Sequence, residues 1–270
     1  MPPTRRYELS DAQWARLEPL LPPEKPWTGR PNDDHRRILN GILWILNSVA
    51  RPAAALWSGG HGVEPVLSLA GVWQHVLEAL QALADAQGRV GWELHFLDST
   101  VVRAHQHAAG ARKTGREPGA EDEALGRSRG GFTTKIHLRC EGYGKPVIFT
   151  VTGGQVHDTR QVSALISRGA IRRIDRGRPR LRPAKMVGDK AYSSRSIRLA
   201  LRKRGIIPVI PTKANERRQP GFDREAYRQR NIIERMINRL KNFRRIATRY
   251  EKRATNYLAM ITIGAILLWI

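Results

Sequence analysis

Cysteine occurs once in the 270 residues, at Cys140, so no internal disulfide can form and the thiol content fits a reducing compartment. Acidic residues are scarce. There are 24 Asp and Glu against 47 Lys and Arg, a formal net charge of +23. Such an excess favours a polyanionic partner, nucleic acid first. A merely cationic protein of ribosomal type has the same balance, so charge speaks to association and not to chemistry. The N-terminus, MPPTRRYELSDAQW, lacks the apolar core of a signal peptide. The one long uncharged run, residues 254–270, is shorter than the roughly 20 residues that span a bilayer. It also carries Thr255, Asn256, Tyr257 and Thr262, and it predicts a buried terminal helix and not a membrane anchor. Internal repeats and low-complexity tails are absent.

What is present divides at about residue 90. Ser10 is a plausible N-cap for DAQWARLEPLL, and Pro22-Pro23 ends that helix. Residues 25–32, rich in Pro and Gly, read as a loop. Residues 35–50 form a second apolar-periodic run. Residues 71–87 predict a third helix with Val72, Val76, Leu80 and Leu83 on one side. Residues 1–90 therefore read as a small helical domain.

Residues 91–270 have a different pattern. WELHFLDSTVV predicts a strand, residues 105–129 a flexible surface loop, and FTTKIHLRCEGYGKPVIFTVTGG a hairpin turning near residues 142–145. A helix over 158–167, a short buried strand in AKMVGDKAY and a Ser-capped helix in SSRSIRLALRKRG come next. IIPVIPT predicts another short strand. A long basic helix over 223–245 and the terminal helix complete the series. The class is α/β: a mixed sheet flanked by helices, with a small N-terminal helical domain.

Two aspartates stand at predicted strand ends, Asp98 in HFLDSTVV and Asp189 in KMVGDKAY. Open α/β sheets place ligands and catalytic groups there, although a lone aspartate at a strand end most often serves as a cap. A more specific signal lies in YRQRNIIERMINRLK. On a continuous helix, Arg230, Glu234 and Lys241 share a face, and Tyr227 joins the same stripe. Most such patterns are exposed Arg–Glu pairs. Here, however, Glu234 is the only acid between Glu225 and Glu251 and sits beside Ile232, Ile233 and Met236.

The spacing of Tyr227, Arg230, Glu234 and Lys241 resembles in full the Y-R-E-K signature of bacterial insertion-sequence transposases of the IS four and IS five groups. LDSTVVRAHQHAAGARK, GRSRGGFTTKIHL, GGQVHD, VGDKAYSS and RLKNFRRIATRYEKRATNYLAM look like the same family, in the same order. The resemblance implies an RNase H-like catalytic fold over 91–270. It also implies a carboxylate triad, Asp98, Asp189 and Glu234, holding two Mg²⁺ or Mn²⁺ ions. Two such ions roughly 3.5–4 Å apart can serve both ends of an in-line phosphodiester displacement, and hard cations take oxygen ligands. The implied activity is cleavage of transposon-end DNA, then strand transfer of the 3′-hydroxyl into target DNA. The implied setting is cytoplasmic and nucleoid-associated, with a homodimer on the DNA and no membrane. Arg230 and Lys241 are expected at the phosphates flanking the cut, and Tyr227 at DNA or packed under Glu234. Lys135, Arg139 and Lys190 are further phosphate candidates. His157 and Asp158 are expected to support or pack against the site. With one cysteine and no C-x-x-C pair, His95, His105, His107 and His137 give no reason to expect structural zinc, and His105 and His107 are assigned to the loop.

The N-terminal segments YELSDAQWARLEPLLPP and GRPNDDHRRILNGILWILNS resemble the family's small helical domain. The family then continues with a tryptophan–arginine–aspartate–leucine–proline motif and a basic, aromatic helix. This chain reads RPAAALWSGGHGVEPVLSLA instead, over residues 51–70. A local reading-frame disturbance and simple divergence both account for it. Either one points to an alternative, an inactive DNA-binding transposase remnant.

Overall fold

A computed structural model describes residues 7–24, 34–48, 70–109, 123–128, 131–216 and 220–270. The loop expected at 25–32 and most of the anomalous stretch at 51–70 lie outside the described residues.

Helix α1 (Asp11–Leu17) starts where Ser10 accepts from Gln13 N while the Gln13 side chain returns to the Ser10 N–H. This reciprocal capping satisfies two otherwise orphaned donors. Helix α2 (His35–Asn47) is capped by Asp34, which accepts from Arg36 N and Arg37 N. Helix α3 (Ala70–Ala86) buries Trp73, Val76, Leu77, Leu80 and Ala84. Leu83, expected on that stripe, is 38% exposed. The stripe runs through Trp73 instead, the largest apolar group available to fill the space against the terminal helix.

The sheet is built on β1 (Leu94–Ala104), which pairs antiparallel with β3 (Gly131–Cys140). On its far edge β3 carries β4 (Pro146–Gly153) and the short β2 (Gly126–Ser128). On its other side β1 runs parallel to β5 (Lys185–Val187), and β5 parallel to β6 (Ile207–Val209). The β3–β4 turn is held by Glu141, which accepts from Gly91 N, Tyr143 N and Lys145 N at 2.7, 3.0 and 2.8 Å.

Each face of the sheet buries its own core. Phe96, Val102, Ile136, Leu138 and Val187 pack with the N-terminal helices and with α10 (Ala254–Trp269). Leu97, Met186 and Tyr192 pack on the opposite face with α5 (Val162–Arg168) and α6 (Arg195–Arg202). This is the alternation a strand buried on both faces requires. Helix α10 is apolar all round, and most of it is buried, as its composition predicts. No helix among the described residues is long and apolar enough to cross a membrane.

Three expectations are corrected. His107 lies in a short helix, α4 (Gln106–Ala109), and His105, the residue before that helix, stacks on both Tyr250 and His107. The Ser194 hydroxyl does not cap α6 but pairs with Ser196 Oγ at 2.7 Å. The basic segment is three helices and not one: α7 (Arg224–Arg228), α8 (Asn231–Lys241) and α9 (Arg244–Ala247). Around Gln229 and Arg230 the N–H groups bond three residues back instead of four, to Ala226 and Tyr227 at 3.2 and 3.1 Å. That tightening rotates α8 relative to α7. Phe243, in an extended conformation, ends α8. A two-residue strand, β7 (Thr248–Arg249), then pairs parallel with the end of β1.

Candidate active site

Strand β1 changes neighbour along one edge. It pairs with β5 through Phe96 and with β7 from Arg103. Between those contacts the sheet splits, and Asp98 stands at the split. Phe96 is in register with Val187. Asp98 lies two residues further on in β1, so strand alternation directs it toward the face of Phe96, while Asp189 follows β5 as the N-cap of the short turn Lys190–Tyr192. Helix α8 covers that face through Ile233, Met236 and Leu240. Asp98 is the fifth of the eleven residues of β1 and not at its end as expected, but it lies just past the point where the parallel β1–β5 pairing stops, the kind of position where such sheets take ligands.

Arg230, at the start of α8, ties the helix to the strand. Its guanidinium reaches Asp98 Oδ2 at 3.4 Å and also pairs with Glu234 Oε1. Glu234 is therefore turned toward the aspartates, with its side chain 47% exposed. Asp98 is 17% exposed. Burial raises its carboxyl to about 6; the Ser99 N–H and Arg230 pull the other way, and Asp189 and Glu234 add to the rise. Asp98 thus senses both of the other carboxylates. They do not converge on a single point, and no metal-holding cluster of three such side chains exists among the described residues. The reason is local. The guanidinium lies between Asp98 and Glu234, and Asp189 Oδ1 is turned back to accept from Ala191 N at 2.9 Å.

The other predicted side chains are spread unevenly. Lys241 Nζ reaches the Val101 carbonyl at 3.4 Å, on the edge of β1 that the split leaves open. Lys190 is exposed next to Asp189. Tyr227 belongs to α7, packs against Phe222 with ring centroids 5.4 Å apart, and does not share the stripe of Arg230 and Glu234. Lys135 is largely buried, with Nζ on the Val156 carbonyl and on Asp158 at 2.8 and 3.0 Å. Arg139 is 0% exposed and cannot touch a phosphate. It bonds His95 Nδ1, the Leu165 carbonyl and the Leu181 carbonyl instead.

Behind Asp98, on the opposite face of β1, the Ser99 hydroxyl donates to Asp158 Oδ1 at 2.8 Å. The same oxygen faces Lys135 and lies 3.7 Å from His137 Nδ1. Burial lowers His137 to about 4, so the ring is neutral at physiological pH. Tyr192 completes the floor, its phenol pushed up by burial and by Asp158, Asp98 and Asp189. Asp158 thus supports the strand that carries Asp98, whereas His157 caps its own short turn through Thr159. Ser99 and Tyr192 were not singled out from the sequence. Their only signal was adjacency to the two aspartate motifs.

The profile of the transposase DDE domain matches residues 93–270. That of the putative transposase of IS4/5 family matches residues 9–51. Residues 52–92 fall between the two. A putative transposase for insertion sequence element IS402 of Burkholderia cepacia is 35% identical over 159 residues, 59% of this chain and 69% of the relative. A putative transposase for insertion sequence element IS6501 of Brucella ovis is 28% identical over 143 residues, 52% of this chain and 99% of the relative.

Proposed function

The chain belongs to the transposase DDE domain family, and from that premise we propose that it cuts the ends of its own insertion element and joins the freed 3′-hydroxyl to target DNA. The sheet, three antiparallel strands continued by two parallel ones, is read as RNase H-like. The observation that carries the proposal is Asp98 at the split in the sheet, joined through Arg230 to Glu234, with Asp189 just past the end of the neighbouring β5.

The donor set suits a hard divalent cation: three carboxylates with no thiol or imidazole between them, and a guanidinium already holding a positive charge between two of them. Asp98, Asp189 and Glu234 would hold Mg²⁺ or Mn²⁺, two ions per site. These ions supply positive charge to the scissile phosphate and make the attacking hydroxyl more acidic. The chain's own residues do the rest. Asp98 must be ionised to act as a ligand, so its raised proton affinity ties site assembly to pH. Arg230 exchanges its carboxylates for a phosphate of the bound strand, and Lys241 meets a second phosphate at the open edge of β1. Lys190 adds charge at the rim. Water cuts first and the new 3′-hydroxyl attacks next, so no protein nucleophile is needed. Each subunit of a homodimer would act on one element end.

Cleavage of terminal-repeat DNA with Mg²⁺ tests this reading. Asp189→Ala removes one ligand of a coupled site, so cleavage should fall by several orders of magnitude while DNA binding survives. Near-normal cleavage by that variant would remove Asp189 from the site. A second reading, a DNA-binding remnant without activity, rests on residues 51–70, which read RPAAALWSGGHGVEPVLSLA where the family motif is expected. It predicts no cleavage by the unaltered chain.

A further inference from the structure

Residues 168–182 carry seven arginines and one acid, Asp175. They leave the sheet between α5 and β5 and return as a hairpin closed by Ile171 and Arg180, whose N–H and carbonyl groups exchange two bonds of 2.8 Å. Its base is fixed from inside. Ile171 is buried, and Arg139 grips the Leu165 carbonyl on one side of the excursion and the Leu181 carbonyl on the other. An arginine buried to this depth is a costly anchor. Here two of its three contacts hold the base of an arginine-bearing hairpin, and the third, to His95 Nδ1, ties that base to β1.

The hairpin lies at the amino end of β5, opposite the carboxylates. Arg182 precedes Asp189 by seven residues of largely extended chain, roughly 20 Å at about 3.3 Å per residue. All the residues from 172 to 180 are exposed. Arg172 and Arg180 face Glu78 and Asp85 at 3.9 and 3.8 Å. Among the described residues, no carboxylate pairs with Arg173, Arg176, Arg178 or Arg182. Beneath the hairpin an open cleft of about 450 Å³ is lined by Trp92, Glu93, Arg180, Arg182 and Arg204, with Arg180 stacked 4.5 Å over the Trp92 ring.

The tip reads Arg176-Gly177-Arg178-Pro179-Arg180. Gly177 has φ +150°, a conformation that side chains rarely allow, so the backbone there is narrow as well as set. Pro179 has no N–H and a fixed φ. We propose that this hairpin is a second DNA-contact site, one that takes the narrow minor groove of an A·T-rich duplex. The minor groove, about 6 Å wide, is too narrow for a helix. It admits a thin backbone without a Cβ, and in A-tracts its enhanced negative potential draws in arginines. A major-groove reader would need a rigid element with base-matching side chains, and a contact made only to phosphates would not need the bare, strained glycine between two arginines.

The proposal rests on the reading of this chain as a DNA-acting protein, and the test separates the two. The full chain is titrated by fluorescence anisotropy against an A-tract duplex and a G·C duplex of equal length, with and without a minor-groove-filling diamidine. The unaltered chain should prefer the A-tract by about tenfold, and the diamidine should abolish the preference. Arg176→Gln with Arg178→Gln should remove it, and so should Gly177→Val, which leaves the charge unchanged. Arg224→Gln with Arg228→Gln, the same loss of charge on α7, should keep it. Unchanged melting temperatures confirm that the variants fold. Equal binding of both duplexes by the unaltered chain, or a preference that survives Gly177→Val, overturns the minor-groove site and leaves the DNA reading standing. Failure to bind either duplex overturns both.

Discussion

Replacing Asp98 with Asn should make the metal-free protein more stable at neutral pH. Burial raises this carboxyl from the ordinary 3.8 to about 6, even with Arg230 and the Ser99 N–H opposing the rise. Ionising it in the folded state therefore costs about 3 kcal/mol, at ~1.4 kcal/mol per tenfold change in proton affinity. Because the folded protein holds this proton more tightly than the unfolded chain, stability falls as pH rises from about 4 to about 6. Below that window the penalty is absent, and above it the penalty is complete. An asparagine keeps an acceptor for the Ser99 N–H and never ionises. Thermal unfolding of both proteins, without metal, should show similar melting temperatures near the lower limit of the window. Above its upper limit the variant should lead by about 6 °C. Mg²⁺ should then raise the melting temperature of the unaltered protein and leave the variant unchanged, because bound ligand stabilises only the state that binds it. A variant less stable than the parent at neutral pH, or a difference independent of pH, would refute the argument that this carboxylate is held under strain for a cation.

Two further predictions bear on the supports of the site. Arg230→Ala leaves Asp98 and Glu234 without the cation that now lies between them, so Mn²⁺ should bind the DNA-free variant several-fold more tightly; calorimetry that finds equal or weaker binding would show that the guanidinium does not compete. Glu141→Ala strands three backbone N–H groups at Gly91, Tyr143 and Lys145, which should cost about 3 kcal/mol in denaturant unfolding, whereas Glu141→Gln, which keeps the shape of the side chain, should cost clearly less.

Much of this protein was legible in its sequence where the determinants are local. The Ser10 capping box, the β3–β4 hairpin, the strands around Asp98 and Asp189 and the buried terminal helix are written in residues a few positions apart. Motif spacing singled out three acidic residues, and of these the structure joins Asp98 to Glu234 through Arg230. The loop assigned to His105 failed because its order comes from Tyr250, far along the chain, which no local pattern registers. The single helix expected over 223–245 failed for a related reason. Apolar periodicity continues through Gln229 and Arg230, and only the backbone bonds reveal that the turn there tightens and sets Tyr227 apart from Arg230.

What the sequence determined by itself, then, was most of the helices and strands, because capping, alternation and turn preference act over a few residues. What only the tertiary structure decided was their meeting. The pairing of Phe96 with Val187 places two aspartates, 91 positions apart in the chain, at one level of the sheet. Arg230 can join Asp98 to Glu234 only because α8 packs on that face. Burial separated cations that look alike in the sequence: Arg139 became an internal anchor, Lys135 a partner of Asp158, and the arginines of residues 172–182 an exposed surface. Charge is a property of the residue, but whether it meets water, a carboxylate or a phosphate depends on residues packed against it from distant parts of the chain.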